Sequence, residues 1–206
     1  MITKVLPQLK NTCSYSAFKD LLVNWAKNKE TSGEQTADHI EATHINAQRL
    51  KRIDKQVELC DDLKIVLSGM NKKLNWVLIT ESWCGDSAQC TPVLAKIAEY
   101  HNTINLKLIF RDENPDYMDA FLTNGNRAIP KLICLTADND QVIGLWGPRP
   151  EAIQRMAIEY KKNNPDVSHE EFVTNLHLWY ARDKTNAVQQ EFILLLRKWN
   201  AANNSK

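Results

Sequence analysis

The sequence predicts an α/β protein with helical additions at both ends, and three observations carry that reading. Short apolar runs rich in β-branched residues cluster between residues 76 and 146, interleaved with helical segments in the order β-α-β-α-β-β-α. The first two runs are joined through a helix, which makes them parallel by the crossover rule. The last two are joined by a short turn, which makes them an antiparallel hairpin. The segments on either side of this block carry helical periodicity instead.

In chain order, Tyr15, Phe18, Leu21, Leu22 and Trp25 recur at helical spacing over 14–27, with Ser14 or Ser16 as the cap. Residues 28–37 are polar, include Gly33 and read as a loop. Residues 38–70 lack proline, and Gly69 is their one glycine. Ile45, Leu50, Ile53, Val57, Leu63 and Val66 fit a long amphipathic helix broken once. Strands over 76–80 and 105–110 flank a helix over 87–100. Asp112-Glu113-Asn114-Pro115 opens a helix that continues over 116–123 and ends at Asn124-Gly125-Asn126. Strands over 131–136 and 141–146 surround a turn at Asp138-Asn139-Asp140. Helices over 151–162, 168–182 and 186–200 complete the chain, with Ser168 and Glu171 as a capping box. The expected organisation is a single domain over 1–206: a helical N-terminal extension (1–74), an α/β core (75–162) and C-terminal helices (163–206).

Composition narrows the function. The 206 residues suffice for a sizeable core, and 43% hydrophobic with 25% charged residues is ordinary for a soluble protein. A net charge of +1 gives no basic footprint for nucleic acid. No run approaches the ~20 apolar residues of a membrane span. The opening Met1-Ile2-Thr3-Lys4-Val5-Leu6-Pro7 lacks a signal-peptide core. The expectation is a cytoplasmic protein with neither membrane nor nucleic-acid partners. Five scattered cysteines form no disulfide framework in that setting. Cys13 and Cys60, in helical segments, and Cys134, in a strand, default to structural roles. His39, His44, His101, His169 and His177 are dispersed and read as surface groups, so no metal and no cofactor is expected.

Residues 81–92, Glu-Ser-Trp-Cys-Gly-Asp-Ser-Ala-Gln-Cys-Thr-Pro, join the first strand to the next helix. Cys84 at that junction meets unpaired helix N–H groups and the helix dipole. Both favour the thiolate, which is the nucleophilic form. Position alone leaves a second reading open, a small buried residue at a tight turn.

Trp83-Cys84-Gly85 resembles the start of the thioredoxin active site, Trp-Cys-Gly-Pro-Cys. Arg127-Ala128-Ile129-Pro130 before a strand resembles that family's Ser-Ile-Pro-Thr segment with its cis-proline. Arg111-Asp112-Glu113-Asn114-Pro115 and Gly147 resemble two further landmarks. Over 75–162 their order and spacing resemble a thioredoxin-like fold. The whole chain is similar to a bacterial thioredoxin-family subgroup with a Trp-Cys-Gly-Asp motif and helical extensions at both ends. The resemblance implies that Trp83, Gly85 and Asp86 surround the thiol and that Pro130 is cis and packs against Cys84. It also implies that the backbone of Ile129 pairs with an extended substrate.

The sequence departs from the family in two ways. The family keeps a proline five residues after its second active-site cysteine. Here Pro92 lies five after Ser87, so the resemblance gives that place to Ser87 and makes the site C-x-x-S. The buried aspartate of the family's first central strand corresponds to Leu78, which agrees with the loss of the second thiol. Cys90 falls a turn further on. Six helical residues rise about 9 Å, beyond the Cα separation of about 7 Å that a disulfide tolerates. A Cys84–Cys90 bond therefore requires local unwinding, and buried filler is the alternative role for Cys90.

The expected function is a cytoplasmic thiol–disulfide oxidoreductase. Cys84 is its nucleophile, Ser87 a hydrogen-bond donor to the thiolate, and Cys90 a second thiol reached only by unwinding. The substrate is a protein or small-molecule thiol or disulfide, and release needs an external thiol. Asp86 disfavours the thiolate, while Lys131 and Arg127 beside Pro130 are expected to restore positive potential. Arg149, between two prolines after Gly147, has two readings, an arginine that reaches the rim beside Cys84 and, favoured, a solvated surface arginine. The alternatives are a non-catalytic module that binds a peptide or protein around Pro130, and a peroxidase or glutathione-transferring enzyme.

Overall fold

A computed structural model describes residues 6–138 and 140–202. Residues 1–5 and Asn139 of the expected turn lie outside the described residues. The centre of the structure is β1 (Leu74–Thr80), which is apolar on both faces. Trp76 and Leu78 enter one hydrophobic cluster, Val77 and Ile79 the other, as the two-residue period of a strand requires. β1 pairs in parallel with β2 (Ile104–Phe110) and antiparallel with β3 (Lys131–Thr136). β3 pairs antiparallel with β4 (Val142–Trp146), so the sheet order is β2-β1-β3-β4. This matches the parallel pair and the hairpin expected from the connections.

Helices cover the two faces. α1 (Tyr15–Asn28) is capped by Ser14, whose Oγ accepts from the Ala17 N–H at 3.2 Å. The long N-terminal periodicity resolves into α2 (Ala37–Gln56) and α3 (Asp61–Ser68). α4 (Gly85–Tyr100) follows β1, and α5 (Pro115–Asp119) follows β2. The C-terminal part is α6 (Glu151–Asn163), α7 (His169–Asp183) and α8 (Asn186–Ala202). Ser168 caps α7 by accepting from Glu171 N–H. The larger cluster takes residues from α1, α2, α3, α4, α6, α7 and α8. The smaller lies on the opposite sheet face, with Tyr117 and Met118 of α5.

Several local expectations are corrected. α4 begins at Gly85, two residues before Ser87, because Cys84 itself serves as its N-cap. α5 stops at Asp119 rather than continuing to 123. Thr123 and Asn126 instead close a tight reversal, with Asn124 and Gly125 at φ 50° and 77°. Cys13 is not helical: its N–H and C=O both bond Leu108 at 2.9 Å, lengthening the sheet edge. Cys60 is the N-cap residue of α3 rather than part of a helix. Among the described residues, no helix is long and apolar enough to cross a membrane.

Candidate active site around Cys84

The loop from β1 to α4 is anchored from below by the N-terminal extension. Ser82 is buried, and its Oγ lies 2.9 Å from the hydroxyls of Thr31 and Thr43 and accepts from the Ser32 N–H at 2.9 Å. Its N–H donates to Ser32 Oγ, and its carbonyl accepts from Asn46 Nδ2, each at 2.9 Å. Glu81, also buried, accepts from Ser32 Oγ and from the Asp112 N–H. The polar stretch 28–37 thus contains Thr31 and Ser32 as interior residues, because their hydroxyls find partners around Ser82. Trp83 stacks on His39 of α2, with ring centroids 4.4 Å apart, and the Arg111 guanidinium sits 4.7 Å from its ring.

Cys84 ends this loop. Its Sγ accepts from the Ser87 N–H at 3.4 Å and donates to the Ile129 carbonyl at 3.4 Å. The Ile129–Pro130 peptide bond is cis, and Ile129 lies in the same hydrophobic cluster as Cys84. Cys84 is 8% exposed. Burial pushes its thiol up to about 11 and the Asp86 charge adds to this, while hydrogen bonds from Ser87 and Asp86 oppose it. The resting form is therefore the thiol, which suits its donation to Ile129. The Ser87 hydroxyl is buried, with no hydrogen-bond partner among the described residues.

Asp86 is the hub of the surrounding charges. Its Oδ2 binds Arg149 Nη2 at 2.5 Å, and its Oδ1 accepts from Tyr180 Oη of α7 at 2.7 Å. Arg149 is thus an ion-pair partner rather than a solvated arginine, set in place by the turn after β4, where Gly147–Pro148 is a second cis bond. Burial raises the Asp86 carboxyl against the opposing pull of Arg149 and Tyr180. Cys90 is wholly buried, with Sγ 3.7 Å from Tyr180 Oη. Since Tyr180 donates to Asp86, Cys90 supplies the proton of that contact. Burial holds the Cys90 thiol well above its usual range, and Asp86 reinforces the shift.

α7 roofs the site. A Cβ on Gly85 would lie 2.7 Å from His177 Nε2. His177 Nδ1 is 3.1 Å from Gln89 Nε2. Burial pushes His177 down to about 4, and the charges of Arg49, Arg149 and Arg52 add to the shift. His177 is therefore a neutral packing group and not a surface histidine. Between α2 and α7 lies a cavity of about 380 Å³ that reaches Cys84, walled by Ile45, Asn46 and Arg49 on one side and Phe172, Leu176 and His177 on the other. Lys131 and Arg127 turn elsewhere. Lys131 donates to Thr123 Oγ1, and Arg127 makes a bidentate pair with Asp119. The positive charge near Cys84 comes from Arg49 and Arg149 instead.

The geometry brings together Trp83, Cys84, Gly85, Asp86, Ser87, Ile129 and Pro130, and leaves Cys90 behind on the inner face of α4. A family profile described as thioredoxin matches residues 33–161. The chain belongs to the thioredoxin family. The matched range takes in α2, with Thr43 and Asn46 of the Ser82 network, as well as the sheet, so part of the N-terminal extension falls within the family's own span, while Thr31 and Ser32 precede it. Two solved structures share the fold. One is a protein of unknown function from Pseudomonas aeruginosa, at 18% identity and TM-score 0.54, covering 90% of this chain and 98% of that one. The other is an HIV epitope-scaffold, at 18% identity and TM-score 0.51, covering 88% of this chain and 98% of that one. No curated protein matches the chain. Against the thioredoxin pattern, Leu78 is fully buried among apolar neighbours, and the carboxylate next to the thiol is Asp86.

Sequence reasoning missed Arg49, His177 and Tyr180. Arg149 had a weak signal, its position just after Gly147. The other three lie on flanking helices far from Cys84 in the chain, and no local pattern marks them.

Proposed function

We propose that this thioredoxin-family protein is a thiol–disulfide oxidoreductase with Cys84 as its one reacting thiol. The observation that carries the reading is the setting of Cys84 Sγ. It caps α4, accepts the Ser87 N–H, faces Ile129 across the cis-proline and opens into a cavity. In the first step Cys84 loses its proton and attacks one sulfur of a disulfide. A Cys84–sulfur bond forms, the substrate S–S bond breaks, and the departing thiolate takes up a proton. An external thiol then attacks the mixed disulfide, restores Cys84 and leaves as the new disulfide partner. The α4 N–H groups stabilise the thiolate when it forms, while burial, reinforced by Asp86, keeps Cys84 as the thiol between turnovers. Ser87, in the place of a second thiol, and Cys90, turned toward Tyr180, support a monothiol cycle. A cytoplasmic setting, where small thiols are plentiful, suits such a cycle.

The test is disulfide reduction by the full-length protein with an added thiol, using Cys84→Ser and Cys90→Ser variants. Activity is expected to vanish in the first and persist in the second, with a mixed disulfide at Cys84 seen by mass spectrometry. Equal loss in both overturns the monothiol cycle, and no loss in either overturns the enzymatic reading. One observation favours a non-catalytic binding module: the thiol is buried and pushed up to about 11. On that reading the Cys84→Ser protein keeps its partner and the wild type forms no adduct.

A further inference from the structure

The cleft between α2 and α7 has two parts. The inner part ends on Cys84 and has a volume of about 380 Å³, which suits a small molecule. The outer part shares Arg49 and His177 with it and opens past Asp38, Glu41 and Glu170. With Cys84 only 8% exposed and His177 seated over Gly85, two chain segments of a folded protein substrate do not fit without displacing α7.

The inner part holds two guanidinium groups, Arg49 and Arg149, against one carboxylate, Asp86. Arg49 is half-buried, and its guanidinium donates to Asn46 Oδ1. Among the described residues, no carboxylate lies within ion-pair distance of it. Arg52 repels it, and Asp86, which attracts it from beyond ion-pair distance, is already held by Arg149 and Tyr180. Two further donors on cavity residues, Arg149 Nε and Trp83 Nε1, are buried without an acceptor among the described residues. A half-buried cation beside unmatched donors favours an anionic ligand.

We propose that this cleft binds a small disulfide or thiol bearing a carboxylate, the carboxylate on Arg49 and the sulfur at Cys84. The proposal rests on Cys84 as the nucleophile and names the substrate class of that same site. The bond changes are those of the monothiol cycle: Cys84 is oxidised to the mixed disulfide, and the released half leaves as a carboxylate-bearing thiol carrying a proton.

The test compares mixed-disulfide formation at Cys84 with dithiodiglycolate (anionic), hydroxyethyl disulfide (neutral) and cystamine (cationic). Each rate is divided by that of free mercaptoethanol with the same reagent. The wild type is expected to favour the anionic over the neutral disulfide by about tenfold or more, with cystamine slowest. Arg49→Met brings the anionic-to-neutral ratio down to near one, whatever it does to the neutral rate itself, while Arg49→Lys retains the preference. A wild-type ratio near one, or a preference that survives Arg49→Met, overturns the proposal. If no reagent labels Cys84, the oxidoreductase reading fails, and calorimetry with the unreactive thioether thiodiglycolate decides the site. Binding lost in Arg49→Met upholds a carboxylate site, and absence of binding overturns it.

Discussion

At Asp86 two demands meet. The carboxylate is held by Arg149 and Tyr180, and its charge opposes the thiolate of the neighbouring Cys84. Asp86→Asn keeps the shape and an acceptor for Tyr180 while removing the charge, and it leaves Arg149 free to attract a thiolate. The Cys84 thiol, pushed up to about 11 in the wild type, is expected to fall by about one unit or more. The check is the rate of alkylation by iodoacetamide against pH. The wild-type profile should still be climbing toward pH 11, and the variant profile should lie at lower pH. Coincident profiles would remove Asp86 from the control of Cys84. The opposition between Asp86 and Cys84 was legible from their spacing of two residues in the sequence. The compensation was not, because Arg149 and Tyr180 come from the turn after β4 and from α7, and their contacts arise only when those elements pack on α4.

The β1–α4 loop owes its position to elements that precede the sheet. Ser82 Oγ sits among Thr31, Ser32 and Thr43, a network of buried hydroxyls. Ser82→Ala deletes their common partner and leaves buried polar groups unsatisfied, at a cost of about 1–3 kcal/mol. Urea denaturation should record that loss, and Cys84 alkylation should quicken as the loop loosens. A stability within about 0.5 kcal/mol of wild type would show that the hydroxyls re-pair without Ser82. At this scale the sequence was informative about regular elements, since α1, α2, α7 and the strands carry their period and caps in the residues themselves. It gave 28–37 as a loop, which the structure has, and was silent on the burial of Thr31 and Ser32 within it. That burial depends on Ser82, which no local rule connects to Thr31. The end of α5 was misplaced: Asn124-Gly125 forms its own reversal and takes Thr123 out of the helix.

Across the whole molecule, the larger hydrophobic cluster runs from Tyr15 of α1 through Trp76 of β1 to Trp199 of α8. The Trp76 and Trp199 rings meet edge to face at 6.0 Å, and Phe192 lies against both. A chain of 206 residues exceeds the size at which a single unfolding transition is the default. Here no apolar boundary separates the extensions from the sheet, so one transition is expected. Tryptophan fluorescence, weighted toward the Trp76–Trp199 centre, and far-UV circular dichroism, weighted toward the helices, should give coincident urea midpoints. Gly144→Ala sharpens the test, because a Cβ there would fall inside the Trp199 indole and force α8 off β4. Overpacking of this kind costs about 1–3 kcal/mol. If the molecule unfolds as one unit, both midpoints shift together by the same amount. If the C-terminal helices form a separate unit, fluorescence shifts while most of the helical signal holds its midpoint, and the roof over Cys84 is then able to open without unfolding the sheet.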